Sequence, residues 1–209
     1  DALHGINGLA TGPDGLVYLA VGGTREPVEP TPPNPEWLGT VLRFDTDGND
    51  LEVYARGLRN VYDLEFDAEG RLWGADNDGP SDRGYRAEEI LQIKEGAHYG
   101  YPAEGTFGPH SVRTDPALWA FMGEEAEGSA GIELGEAVGL EGGLLVGARS
   151  LSYFAFGEDE AGPYAAGEVD YQGLPTVLNR QGYFTVVEAS EGLLYVGVNG
   201  LSLSSELYV

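Results

Sequence analysis

Apolar and polar positions in this chain alternate in short runs, and each run ends at a glycine-bearing turn. Val61-Tyr62-Asp63-Leu64-Glu65-Phe66 and Thr40-Val41-Leu42-Arg43-Phe44 alternate with period two, as strands do when their two faces meet different surroundings. One phrase recurs four times. It reads Pro13-Asp14-Gly15-Leu16-Val17-Tyr18, Ala68-Glu69-Gly70-Arg71-Leu72-Trp73, Glu141-Gly142-Gly143-Leu144-Leu145-Val146 and Ser190-Glu191-Gly192-Leu193-Leu194-Tyr195. Each copy is a tight turn followed by strand-forming residues, with Gly15, Gly70, Gly143 and Gly192 expected to take the positive φ that the turn needs. Repeats spaced roughly 50–70 residues apart predict propeller blades of about four strands each.

The first unit, about Gly8–Gly57, predicts strands at Gly8–Thr11, Leu16–Val21, Thr40–Phe44 and Leu51–Ala55, with the Pro-rich Thr24–Trp37 as a surface loop. The second predicts strands at Val61–Phe66, Arg71–Ala75 and Glu89–Ile93. An irregular acidic loop is expected over Asp76–Arg86 and irregular chain over Gly96–Gly108. The third predicts Ile132–Leu134, Leu144–Ala148, Leu151–Phe156 and Glu168–Tyr171. The fourth predicts Phe184–Val187, Leu193–Val198 and Glu206–Val209, with its last strand missing. The expected fold is an all-β propeller, residues 1–209 as a single domain of about four four-stranded blades. The ring is not obviously closed.

The composition narrows the function. The 209 residues carry a net charge of −24, from 35 acidic and 11 basic side chains. Such a surface repels nucleic-acid phosphates and anionic lipids and attracts cations, calcium among them. A solvated acidic coat is the plainer reading. With no cysteine, disulfides, thiolate metal sites and cysteine nucleophiles are excluded. The apolar runs are too short for a membrane-spanning helix. Ser150, Ser152 and Ser190 lack a nucleophile-elbow context.

The densest motif block runs from Gly57 to Pro102. It contains Gly57-Leu58-Arg59-Asn60, Asp76-Asn77-Asp78-Gly79-Pro80, Glu88-Glu89-Ile90 and His98-Tyr99-Gly100-Tyr101-Pro102. This block resembles the soluble glucose/sorbosone dehydrogenase family, six-bladed propellers whose enzymes use pyrroloquinoline quinone (PQQ). His4 to Gly22 and Gly39 to Leu58 also resemble it. The match covers part of the family's length, so one or two N-terminal blades are expected to be absent or supplied by a partner chain. The resemblance implies that His4 takes the substrate hydroxyl proton while hydride passes to the quinone. It implies that Arg59, Asn60 and Arg149 bind the cofactor, and that Gly79 and Pro80 supply carbonyls to a calcium ion. Glu88, Glu89 and the Tyr99 carbonyl match a second calcium site. It further implies a sugar or other alcohol substrate, a cytochrome or other electron acceptor, and a secreted or periplasmic setting.

The chemistry suits those roles: imidazole accepts a proton near neutral pH, guanidinium grips carboxylates in a fork, and calcium takes hard oxygen donors. The chain also departs from the family pattern. Leu3 stands where the family has an acidic residue, Leu91 where it has Asn, and Gly182 and Phe184 where it has an Arg-x-Arg pair. Read without the family, His4 is a polar strand-end residue, Arg59-Asn60 a bridge between blades, Asp76–Asp82 a solvated loop, and Glu88-Glu89 an exposed pair. The alternative is therefore a non-catalytic, calcium-binding propeller acting as a structural or interaction subunit.

Overall fold

The computed structural model describes residues 4–23, 34–77, 88–101, 119–121, 131–140, 142–147, 151–159, 162–170, 182–190, 193–200 and 205–208. They form fifteen strands in four antiparallel sheets, and within each sheet every strand pairs with the next along the chain. The first sheet holds β1 (Ile6–Thr11), β2 (Val17–Val21), β3 (Thr40–Phe44) and β4 (Glu52–Arg56). The second holds β5 (Val61–Phe66), β6 (Leu72–Asp76), β7 (Glu88–Ile93) and β8 (Trp119–Phe121). The third holds β9 (Ile132–Leu134), β10 (Gly143–Gly147), β11 (Leu151–Asp159) and β12 (Gly162–Asp170). β13 (Gly182–Ser190), β14 (Leu193–Gly200) and β15 (Ser205–Tyr208) make the last. Of the Pro-rich segment, Pro35–Trp37 is a single 3-10 turn, and residues 24–33 lie outside the described residues.

The repeated phrase forms the first hairpin turn of the first two sheets. In the first, the Asp14 carboxylate accepts from the Leu16 amide at 3.0 Å. In the second, Asp67 accepts from the Glu69 and Arg71 amides at 3.1 and 2.8 Å. Gly15 and Gly70 sit at φ 79° and 77°. In the third sheet the expectation shifts by one residue: Gly142, not Gly143, holds the positive φ, at 73°. Gly143 is the first residue of β10, because the acidic-Gly pair there is Glu141-Gly142. The fourth copy's Glu191-Gly192 lies outside the described residues.

In the second and third sheets the second strand is buried on both faces, and its pattern is nearly continuous apolar rather than alternating. All five residues of β6 and all five of β10 are buried. Along β6 the two faces serve two cores. Leu72 packs with Tyr18, Val41, Leu58, Val61, Leu64, Leu91 and Ile93, between the first and second sheets. Trp73 and Ala75 pack with Ile90, Ile132, Leu144, Val146 and Phe154, between the second and third. The Trp73 ring stacks on Phe156 at 4.5 Å, and its Nε1 donates to Asp67 at 2.8 Å.

The first strands meet in chain order, β1 against β5, β5 against β9 and β9 against β13. β1 and β5 come so close that a Cβ on Gly8 would lie 2.6 Å from the Asp63 Cα. Asp63 in turn accepts from the Ile132 amide of β9 at 3.0 Å. Sheets packed face against face, with their first strands neighbouring one another in chain order, are the arrangement of a β-propeller. The stretch expected to be irregular after β7 is partly ordered: residues 96–101 run beside β4, with a parallel bridge between Arg56 and His98. There the Arg56 amide bonds the Ala97 carbonyl, and the Tyr99 and Tyr101 amides bond the Arg56 and Gly57 carbonyls. This strap ties the second sheet to the outer strand of the first.

Candidate functional site

In a meander, the start of the first strand and the end of the second lie at the same edge. The chain entering β1 and β5, and the chain leaving β2 and β6, therefore gather at one end of the molecule. His4 precedes β1, Gly22-Gly23 follow β2, Arg59-Asn60 precede β5, and Asn77 follows β6. Hydrogen bonds weave these pieces together. The Gly22 amide donates to the Gly5 carbonyl at 2.8 Å, the Gly23 amide to Arg59 at 2.6 Å, and the Asn77 amide to Asn60 at 3.1 Å. Asn7 of β1 donates its side-chain amide to the Asn60 Oδ1 at 2.6 Å, across 53 residues of sequence.

Arg59 and Asn60 are buried, at 6 % and 8 % exposure. The Arg59 Nη1 donates to the carbonyl and the side-chain oxygen of Asn77, at 2.5 and 3.1 Å. Its Nε is buried and has no hydrogen-bond partner, and the same holds for the Nε2 of His4. A buried polar atom left unsatisfied costs about 1–3 kcal/mol, so two at one end of the sheets point to a ligand that would satisfy them. Burial lowers the pKa of His4, and the nearby positive charge of Arg59 lowers it further. Both effects favour the neutral imidazole, which has a lone pair to accept a proton.

The structure brings His4, Arg59 and Asn60 to one place. Gly79, Pro80 and Arg149, and the side chain of Glu88, lie outside the described residues. Glu89 is buried in β7, at 6 % exposure, rather than being one of an exposed pair. The Tyr99 phenol is buried and occupied: it donates to the Gln92 carbonyl at 2.5 Å and accepts from the Lys94 amide at 3.0 Å. Among the described residues, no group of three or more His, Asp or Glu side chains is placed to hold a metal. His98 accepts the Gly100 amide on Nδ1 at 3.0 Å and helps fold the strap.

Two residues gain importance that their sequence context did not reveal. Asp76, expected to open a solvated acidic loop, is the last residue of β6 and only 2 % exposed. Its carboxylate accepts the backbone amides of both Arg59 and Asn60, at 3.0 and 2.6 Å. Asn7 is the other. An Asp or Asn beside other polar residues reads as loop, and only pairing with a distant segment reveals a buried role.

No curated protein matches the chain by sequence. Solved structures do match by fold. A glucose dehydrogenase described as a putative oxidoreductase, from Thermus thermophilus, superposes with a TM-score of 0.70 at 19 % identity, covering 96 % of this chain. The PQQ-bound aldose sugar dehydrogenase of Streptomyces coelicolor gives 0.69 at 22 % identity over 97 % of this chain. The holo form of the pyranose dehydrogenase PQQ domain from Coprinopsis cinerea gives 0.64 at 13 % identity over 95 %. The chain spans 64 % and 60 % of the first two proteins' lengths. The partial-length resemblance read from the Gly57–Pro102 block is thus matched by the fold. In sequence, the family described as a domain of unknown function, DUF7133, matches residues 1–112. That match spans more than half of the 209 residues, and the chain belongs to the DUF7133 family, on a propeller fold it shares with these dehydrogenases.

Proposed function

We propose that this protein is a quinoprotein-type dehydrogenase that oxidises a sugar or other alcohol outside the cytoplasm. The observation that carries the reading is the pair of buried, unsatisfied atoms, His4 Nε2 and Arg59 Nε, at the end where the sheets converge. PQQ is an acidic, carbonyl-rich ring system, and the donor set fits it. The Arg59 guanidinium and the Asn60 amide would hold its carboxylate and carbonyl oxygens, with Arg149 as a further contact. When bound, the cofactor supplies the two-electron acceptor. His4, kept neutral by burial and by Arg59, takes the proton of the substrate hydroxyl at Nε2. Calcium, bound through the Gly79 and Pro80 carbonyls, would neutralise cofactor charge. Glu88, Glu89 and the Tyr99 carbonyl are proposed for a second ion.

The proposed architecture is a ring of four-stranded blades, four of them in this chain. Ile6 and Leu9 of β1 are 68 % and 61 % exposed, an apolar face suited to a further sheet of the same kind that completes the ring. Electrons would leave to a cytochrome or similar acceptor. A second reading rests on Gly182 and Phe184 of β13, which stand where the resembled family has two arginines. Without those cations the propeller would be a non-catalytic binding or structural subunit.

The test is titration of the purified protein with PQQ, with and without calcium, followed by dye reduction with a panel of aldoses. Saturable binding that Arg59→Ala abolishes, with turnover that His4→Ala abolishes, is the expected result. Binding without turnover favours the second reading. The absence of any quinone spectral shift in the complete ring refutes the PQQ assignment and favours the second reading.

A further inference from the structure

We infer that the Asp76-Asn77 pair at the end of β6 is the device that aims Arg59 at the ligand, a positioning role for two residues that act through Arg59. The inference deepens the proposed function and rests on it for the identity of the ligand. A carboxylate at 2 % exposure is expensive to bury unless charge-assisted hydrogen bonds replace its water. Asp76 has two such bonds to consecutive amides, Oδ2 from Arg59 and Oδ1 from Asn60. Only a carboxylate offers one acceptor oxygen to each; a carboxamide would turn its NH2 toward one of the two N–H groups. Receiving both amides fixes two successive peptide planes, and with them the directions in which the Arg59 and Asn60 side chains leave the backbone.

The next residue holds the other end of the same side chain. Asn77 grips Arg59 Nη1 with its carbonyl and its side-chain oxygen, and its amide bonds back to the Asn60 carbonyl. Arg59 is thus pinned at its backbone by Asp76 and at its head by Asn77. Between the two pins, Nε is left buried and unsatisfied. An arginine so held has already lost its rotamer freedom, so a ligand binding to it need not supply that ordering.

The experiment follows the Arg59 Nε–Hε resonance by 15N NMR in the full chain, assigned by its loss in Arg59→Lys, together with the affinity for PQQ plus calcium. In the wild type the resonance is expected to be distinct and slow to exchange. In Asp76→Asn it should broaden or move to the free-arginine position, and PQQ affinity should fall at least tenfold while the near-ultraviolet signal of the buried Trp73 persists. Asn77→Ala, a milder change at a half-buried site, should loosen the same resonance if Asp76→Asn does not fold. An Hε resonance unchanged in folded Asp76→Asn or in Asn77→Ala overturns the inference, as does an affinity of folded Asp76→Asn equal to that of a wild type that binds. A wild type that binds no PQQ refutes the proposed function instead, and the Hε comparison still decides whether Asp76 and Asn77 hold Arg59.

Discussion

Gly57 opens the Gly57-Leu58-Arg59-Asn60 turn, and replacing it with alanine tests how the strap shapes the site. Its φ is 76°, a left-handed conformation that costs an L-residue about 1–2 kcal/mol. A Cβ there would also lie 2.5 Å from the His98 ring and 2.7 Å from the Gly100 amide nitrogen. Real Cβ atoms do not approach that closely, so the strap must shift, at a further cost of about 1–3 kcal/mol by analogy with overpacked cores. Gly15 is the matched control. Its φ is 79°, yet nothing lies within 4 Å of the added Cβ, so Gly15→Ala should cost only the conformational part. Urea unfolding followed by tryptophan fluorescence should therefore separate the two variants by about 1–3 kcal/mol, with Gly57→Ala the weaker. Because a domain this size loses about 2–4 °C per kcal/mol, a second reading by thermal melting should agree. Equal destabilisation of the two variants would refute the packing of residues 98–100 against Gly57, and with it the tie between the strap and the Arg59 turn.

Two pH responses follow from the same structure. The pKa of His4 is lowered from its ordinary value of 6.5 by burial and by Arg59, so the unfolded chain takes up this proton first. The contribution of His4 to stability is present above pH 6.5 and is lost as pH falls below it toward the folded pKa; His4→Gln should flatten that slope, and an NMR titration of the imidazole should give a midpoint below 6.5. Tyr18 is pushed up to about 12, first by burial and also by its hydrogen bond to Asp14. Asp14 itself stays below the ordinary carboxylate range: partial burial opposes its charge, but the Leu16 amide and the Tyr18 hydroxyl outweigh that. The stability held by protonated Tyr18 is lost as pH rises past 10 toward 12. In absorbance titration, Asp14→Asn should lower the Tyr18 midpoint while leaving it above 10, and a midpoint unmoved by that change would show that the carboxylate does not act on the phenol.

Much of this molecule was legible from local pattern. Thr40–Phe44 and Val61–Phe66 alternate with period two, and those ranges are β3 and β5. Acidic-Gly turns ahead of apolar runs located β2, β6 and β10, because turn geometry and side-chain alternation are settled by residues a few positions apart. The one-residue shift at Gly142-Gly143 arose where two glycines adjoin, so that local chemistry did not choose between them. β8 carried too short a pattern to register.

The tertiary structure decided what depends on distant partners. Asp76 looked like the start of a solvated loop, because nothing near it in sequence shows that the Arg59 and Asn60 amides, 17 and 16 residues earlier, claim its carboxylate. Asn7 and Asn60 meet across 53 residues, and Asp63 and Ile132 across 69. These contacts exist only once the sheets stand side by side. The sequence alone therefore determined the strands, their turns and the residue types able to bind a ligand. Packing decided which of those residues share one end of the fold, which charges are buried there, and which polar atoms remain unsatisfied. Strand formation is governed by short-range periodicity, whereas desolvation depends on everything that closes around a group.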